Sequence, residues 1–394
     1  MRLILARITL LVISSLVTAA AVFLVLEVSL RIVNPPNLRL VGKRILLPNN
    51  TTLKNTYNHN LDKIRRDIII KRNALGFRGP NPPADFADHI TIVTVGGSTT
   101  ENIFITEGKT WTDVLAKKLS ESINLLWVNN AGIDGHSTFG HIQLLTQYLS
   151  ILRPDIVIFL IGINDLALDQ ERGADLADII AHVGPPNNIF RHISDNSYAI
   201  ALLTGYLKKV DGHQFVSMTD KIVNFNVLGE ATDATPLTNE ELEQMSRRIK
   251  AYEERLHEII RLSRTYGITP VFVTQPAIYG FGIDKETGVD LSTMMVHDFT
   301  EDQIKRSGKD KWTLLQMYNQ KTITVAARTG TTVIDLANLM PKNTKYYYDY
   351  IHHTEEGAAV IGELLYPKIC EVIVNKFPKH SNNPCYTVSK IPVN

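Results

Sequence analysis

Several residues suited to acyl-transfer chemistry stand along this chain at the ends of apolar runs. Ser98 closes ITIVTVGGS (90–98), where β-branched residues stop at two glycines and a hydroxyl follows. A serine attacks an acyl carbon only when a base takes its proton. The candidate base is His352 in DYIHHTEEG (349–357), since an imidazole titrates near neutrality. Asp349, three residues earlier, can accept the other ring N–H and hold the tautomer. A developing oxyanion needs donors fixed in advance. The backbone N–H of Ser98, that of Gly135 in NNAGIDGH (129–136) and the side-chain amide of Asn164 in GIND (162–165) would supply three. Gln275, after a later apolar run, is a candidate for the wall of the acyl or alcohol pocket. His353 is a rival base, whereas His136 and His141 read as supporting or surface residues. Asp165 reads as a cap on the turn beyond Asn164, with a hold on the Ser98 loop as a further role.

These residues need elements that bring them together. ITIVTV, LLWVNN, DIVIFLIG, PVFVTQ and TTVIDL are short apolar strand candidates. Helical spacing fills the intervals: Trp111 to Ile123, Phe139 to Leu152, Asn239 to Tyr266, Lys311 to Thr329 and Glu355 to Val374. Apolar strands alternating with helices imply a parallel sheet covered on both faces. The expected architecture is a three-layer α/β/α domain over residues 89–380. In such sheets ligands bind beyond the carboxyl ends of the strands, where every candidate residue falls. Residues 169–236 and 285–310 break the rhythm and read as insertions, the first formed of short helices near the sheet edge or the site.

Taken singly, each piece is weak. Gly-Gly-Ser after a strand is more often a tight turn, and Asn and Asp commonly cap helices. In combination, GGSTT, NAGIDG, GIND and DYIHHTEEG resemble, in order and spacing, the sequence blocks of the SGNH/GDSL hydrolases, over roughly residues 90–375. The resemblance implies a flavodoxin-like fold and ester hydrolysis through a serine acyl-enzyme. By motif position Ser98 matches the nucleophile, Gly135 and Asn164 the oxyanion residues, and Asp349 and His352 the last block. The block's glycine stands five places after its histidine, and Gly357 selects His352 over His353 by that count. One departure is visible: Gly97 stands where the family name has aspartate, a position with no required part in the chemistry.

The totals set the compartment and exclude some partners. Forty-one basic side chains face 40 acidic ones, a balance that argues against nucleic acid as a partner. Residues 8–26 carry no charge, close to the ~20 residues that cross a bilayer. A transmembrane signal anchor over 8–30 is expected; a cleaved signal peptide, with Ala19-Ala20-Ala21 as the cleavage site, is the rival. Residues 34–88, rich in Pro and Asn and containing GFRG, read as a linker or strap, and 381–394 as a tail. The anchor, strap and hydrolase layout resembles membrane-anchored bacterial members of the family. The two cysteines, Cys370 and Cys385, are either unrelated thiols or a disulfide tying the tail to the last helix, which requires an oxidising compartment. Neither suggests a metal, and the proposed residues suffice without a cofactor.

The expected function is a membrane-anchored, extracytoplasmic esterase removing a small acyl group, such as O-acetyl, from a glycan. The choice of substrate follows family analogy and compartment. Alternatives are an O-acyltransferase using the same residues, a lipase or lysophospholipase-like esterase acting on lipid, and a non-enzymatic glycan-binding protein on an inherited fold.

Overall fold

The computed structural model describes residues 2–33, 40–41, 44–56, 63–65, 67–169, 196–203, 223–225, 232, 234–297, 305–381 and 385. These fall into two compact units: residues 1–48 with 179–215, and residues 49–178 with 216–394. The expected tail at 381–394 lies almost wholly outside the described residues, as does most of the 169–236 insertion.

Among the described residues, the first unit contains one long helix, α1 (Arg2–Val33), followed by a two-stranded hairpin of β1 (Leu40–Val41) and β2 (Arg44–Ile45). Residues Ile4–Val33 are apolar enough to cross a membrane. Part of the insertion belongs to this unit. A helical segment at 198–203 packs Tyr198 and Ala201 against Leu30, Val41 and Leu46.

The second unit begins with part of the strap, which is not the irregular linker its composition suggests. Strands β3 (Thr51–Thr56) and β4 (Asp67–Arg72) form an antiparallel hairpin. In β4 the alternation is real, because Ile68 and Ile70 are buried while Ile69 faces out. The sequence hides it, since three consecutive isoleucines show no period of two.

The central sheet follows from five strands: β5 (Ile90–Gly96), β6 (Leu126–Asn130), β7 (Ile156–Ile161), β8 (Thr269–Thr274) and, later in the chain, β11 (Thr332–Ile334). All its pairings are parallel, and the spatial order is β6-β5-β7-β8-β11. In order of occurrence that is 2-1-3-4-5, the flavodoxin-like order. Every residue of β5 and β7 is buried, which is why β7 reads as an unbroken apolar run and β5 as a largely β-branched one.

Helices cover both faces. A short α2 (Ser98–Glu101) follows β5, and α3 (Trp111–Leu119) begins at a reciprocal Thr110–Asp113 cap. Helix α4 (Thr138–Leu144) runs on through a π-type turn (Leu145–Leu149) to Leu152, and α5 (Ile163–Asp169) follows β7. Helix α6 (Asn239–Thr265) precedes β8. The 285–310 stretch contains a further small hairpin, β9 (Met295–His297) with β10 (Lys305–Ser307), where irregular structure is expected. Helix α7 (Gly308–Thr329) leads to β11, then α8 (Leu336–Leu339) and the closing α9 (Glu355–Lys376). Helix α9 lies so close to α3 that a Cβ on Gly362 would come within 2.7 Å of Val114.

Cys370 on α9 is bonded to Cys385, which closes a loop of sequence separation 15 and decides between the two readings of the cysteines. By loop-closure entropy such a link is worth about 3 kcal/mol. Cys385→Ser should therefore lower unfolding stability by about 3 kcal/mol in urea. Thiol titration of the unreduced wild type should find no free cysteine; two free thiols would refute the link.

Candidate active site

The carboxyl ends of β5, β6, β7 and β8 carry the candidate residues. Gly97 caps α2 as the chain leaves β5, which sets Ser98 at the first helical position with its hydroxyl on the rim. The segment 349–354 precedes α9, whose N-cap is Thr354, accepting from the Gly357 N–H at 3.1 Å. Ser98 and His352 are separated by 254 residues, yet Ser98 Oγ lies 2.7 Å from His352 Nε2. His352 Nδ1 lies 2.6 Å from Asp349 Oδ2. The other oxygen, Asp349 Oδ1, accepts the backbone N–H groups of Ile351 (2.9 Å) and His352 (2.7 Å). All three side chains are buried. The Tyr348 ring stacks on His352 at 5.5 Å between centroids with an interplanar angle of 4°.

The electrostatics follow from this geometry. Burial pushes the Asp349 carboxyl up, but His352 and the two backbone donors more than reverse it, leaving the group below the ordinary carboxylate range. Burial pushes the His352 imidazole down; Asp349 outweighs this, with Asp134 adding to it, and the net position is above the ordinary 6.5. His353 is different. It is buried against Tyr347, and burial followed by repulsion from His352 holds it down at about 3. It stays neutral through the working range and does not face Ser98 as His352 does.

Asn164 Nδ2 donates to the backbone carbonyl of His136 at 2.9 Å, which joins the turn after β7 to the loop after β6. That loop is tied to β5 by Ile133 N–H donating to Gly96 O at 3.0 Å, and Gly135 takes φ +76°, a left-handed value that favours glycine. Gly97 acquires a part that sequence reasoning withheld from it. A Cβ there would lie 2.0 Å from Asn164 Nδ2, so only glycine lets the amide approach the Ser98 turn this closely.

The strap reaches the same place. Arg78 of GFRG is buried and donates to the carbonyls of Glu101 (2.6 Å), Asn102 (2.9 Å) and Ile105 (2.9 Å), just beyond Ser98. It also bridges backbone to backbone with Asn130 at the end of β6. Glu101, on the helix that Ser98 begins, is buried; it pairs with Arg72 of β4 and accepts the Asp134 N–H at 2.6 Å. One carboxylate thus links the strap, the Ser98 turn and the loop that carries Gly135. Arg72, Glu101 and Tyr348 do not stand out in the sequence; for Arg78 the GFRG motif is the signal.

The remaining expectations fall as follows. Gln275 is buried, accepting from Thr99 Oγ1 at 3.1 Å and donating to Pro276 O at 3.0 Å, so it packs beside the Ser98 turn. Asp165 does more than cap a turn. It accepts from Thr138 at the start of α4 and from Arg255 of α6 at 3.1 Å. His136 and His141 are both buried, which excludes the surface reading, and burial holds His141 down at about 3. Among the described residues, no group of three or more His, Cys, Asp or Glu side chains could hold a metal ion.

Comparison with known proteins gives the family. The profile of the GDSL-like lipase/acylhydrolase family matches residues 94–360. No curated protein matches the chain. Among solved structures, the lipase/acylhydrolase from Enterococcus faecalis is 14% identical, with 72% of this chain and 96% of that one covered and a TM-score of 0.40. A catalytic mutant of Axe2, an acetylxylan esterase from Geobacillus stearothermophilus, is 12% identical, with 71% and 93% covered and a TM-score of 0.39.

The contact at Gly97 makes a testable statement. Gly97→Ala should displace the Asn164 amide and lower kcat on an activated ester by about 10²–10³, the usual cost of losing one oxyanion donor. A kcat within a factor of about three of wild type, well short of that cost, would show that the amide need not sit there.

Proposed function

The chain belongs to the GDSL-like lipase/acylhydrolase family, and we propose that within it the protein is a membrane-anchored serine esterase acting outside the cytoplasm. The observation that carries the proposal is the unbroken hydrogen-bond chain from Ser98 Oγ through His352 to Asp349, at 2.7 and 2.6 Å. These distances lie within the reach that general-base activation of a serine requires.

The proposed reaction runs in two halves. Ser98 Oγ attacks the ester carbonyl carbon while its proton passes to His352 Nε2. The oxyanion is received by the N–H groups of Ser98 and Gly135 and by the Asn164 amide. Collapse breaks the bond to the alcohol oxygen, which takes the proton from His352, and the acyl group remains on Ser98. Water then attacks the acyl-enzyme, giving its proton to His352, and the acid departs as Ser98 is restored. Asp349 holds the imidazole in the productive tautomer and stabilises its cation.

Two observations support the address. The uncharged stretch of α1 from Ile8 to Leu26 is long enough to span the ~30 Å hydrocarbon core at ~1.5 Å per residue. The Cys370–Cys385 disulfide suits an oxidising compartment. An O-acylated glycan is the substrate class that suits an anchored enzyme facing that compartment, with a small acyl group as the leaving acid.

Acetate and p-nitrophenol release from p-nitrophenyl acetate tests the reading. Ser98→Ala and His352→Ala should each lose nearly all turnover, on the order of 10⁴-fold or more, while remaining folded. Equal activity in all three proteins would refute the role of Ser98. Acetate that ends on an added glycan, rather than in solution, would identify acyl transfer instead.

The pH profile provides a separate test. His352 acts as a base only when neutral, and its pKa lies above 6.5, so kcat/KM should fall on acidification with a midpoint above pH 6.5. Asp349→Asn removes the charge that raises it. The midpoint should then move down, with kcat lower by about 10⁴. An acid limb that does not shift in Asp349→Asn would assign it to another group.

A further inference from the structure

The insertion segment docked on α1 has a surface that the hydrolase reading does not use. Glu27 is the first charge after the uncharged stretch Ile8–Leu26. Its carboxylate is buried and accepts four hydrogen bonds. Glu27 Oε1 takes the Tyr198 N–H (3.0 Å) and Arg31 Nε (2.9 Å); Oε2 takes Ser197 Oγ (2.9 Å) and the Ala199 N–H (3.0 Å). Arg31 also donates to Asn196 O at 2.7 Å and lies 5.3 Å from the centre of the Tyr198 ring. The end of α1 therefore caps the helical segment at 198–203 and clasps its first residues.

The segment reads YAIALL, without a charged side chain and with the Tyr198 hydroxyl as its one polar group. Tyr198 and Ala201, three apart, face inward against Leu30, Val41 and Leu46. Leu202 and Leu203 point away, 40% and 56% exposed, and Ile200 is half-buried. Scattered exposed leucines are ordinary, but these extend an apolar surface that includes Ile32 and Val33 of α1 in the same unit.

Depth decides what covers that surface. Nineteen uncharged residues at ~1.5 Å each match the hydrocarbon thickness, so Arg7 and Glu27 mark its two boundaries. Sinking Glu27 further would place charges in hydrocarbon, which is costly. Because Glu27 is hydrogen-bonded to Ser197, Tyr198 and Ala199, the segment is held at the same level, where headgroups meet acyl chains. Amphipathic helices at that level bury their apolar face ~5–10 Å deep.

We infer that residues 197–203 form an interfacial foot, resting in the lipid surface of the same membrane that α1 spans, with Leu202 and Leu203 among the acyl chains. The inference rests on the anchor reading of α1. It gives the insertion a role apart from catalysis: a second, lateral attachment that restricts rotation and tilt of the anchor end.

The test uses the full chain in phosphatidylcholine–phosphatidylglycerol vesicles. Because both native cysteines are joined, Leu203→Cys offers a single thiol for an environment-sensitive fluorophore. Nitroxide-bearing lipids should quench the probe several-fold more than aqueous iodide does. Glu27→Ala should reverse that preference while the protein still floats with the vesicles. A probe open to iodide would overturn the inference, and one shielded from both quenchers would show a protein partner on this face instead. Unchanged quenching in Glu27→Ala would show that the carboxylate does not hold the foot. Failure to float with the vesicles would reject the anchor itself, a separate result from the location of residue 203.

Discussion

A serine hydroxyl becomes a useful nucleophile only if an imidazole lies within about 3 Å of it, and here that imidazole comes from 254 residues further along the chain. The fold is an answer to that constraint. Five parallel strands turn their carboxyl ends to one rim, so segments far apart in sequence emerge side by side. The 2-1-3-4-5 order places β5 between β6 and β7. The Ser98 turn is thereby flanked by the loop with Gly135 on one side and the turn with Asn164 on the other. His352 arrives from the far end of the domain because α9 packs back against α3, the second helix between β5 and β6.

Parallel strands bring the loops near one another, and buried charges then hold them in register. Glu101 joins the strap, the Ser98 helix and the loop after β6. Asp165 joins the turn after β7 to α4 and α6. Asp349 holds its own turn and the imidazole. Each carboxylate is desolvated and accepts several donors, the condition under which a buried charge is tolerated. Removing one partner of such a pair typically costs 3–5 kcal/mol, because the other charge is left buried without compensation. Loops braced in this way are held in place before substrate arrives, as the proposed oxyanion stabilisation demands.

Much of this was legible from residue order. The central strands are apolar on both faces and short, and the helices between them carry clear caps, as at Thr110 and Thr238. The site blocks were readable because, together and in order, they resemble those of the SGNH/GDSL hydrolases. What escaped was of two kinds. Strand β4 lost its alternation in a run of isoleucines, and β9 and β10 are only three residues each, too short for a period to show. Long-range pairings were the other kind. Nothing in the type or spacing of Arg72, Glu101 and Asp134 announces that they meet, because contact between distant residues depends on the register of the finished sheet. The same holds for Glu27 and Ser197, which are 170 residues apart. Gly97 looked like a neutral departure from a motif until the position of Asn164 showed what a side chain would strike.

The burial of the site also bears on how the proposed reaction proceeds. Ser98, Asp349 and His352 are each no more than 4% exposed. Charges in such surroundings interact about fourfold more strongly than in water, taking an effective dielectric constant near 20. The Asp349 carboxylate can therefore raise His352 against the opposing effect of burial, and it stabilises the imidazolium most when the serine proton has just been transferred. The same burial keeps the neighbouring His353 neutral, since two adjacent imidazolium ions could not both be accommodated beside one carboxylate. Of the two adjacent imidazoles only His352 lies against Ser98, so in the proposed reaction the proton it takes from the serine is available to the departing alcohol rather than shared with His353.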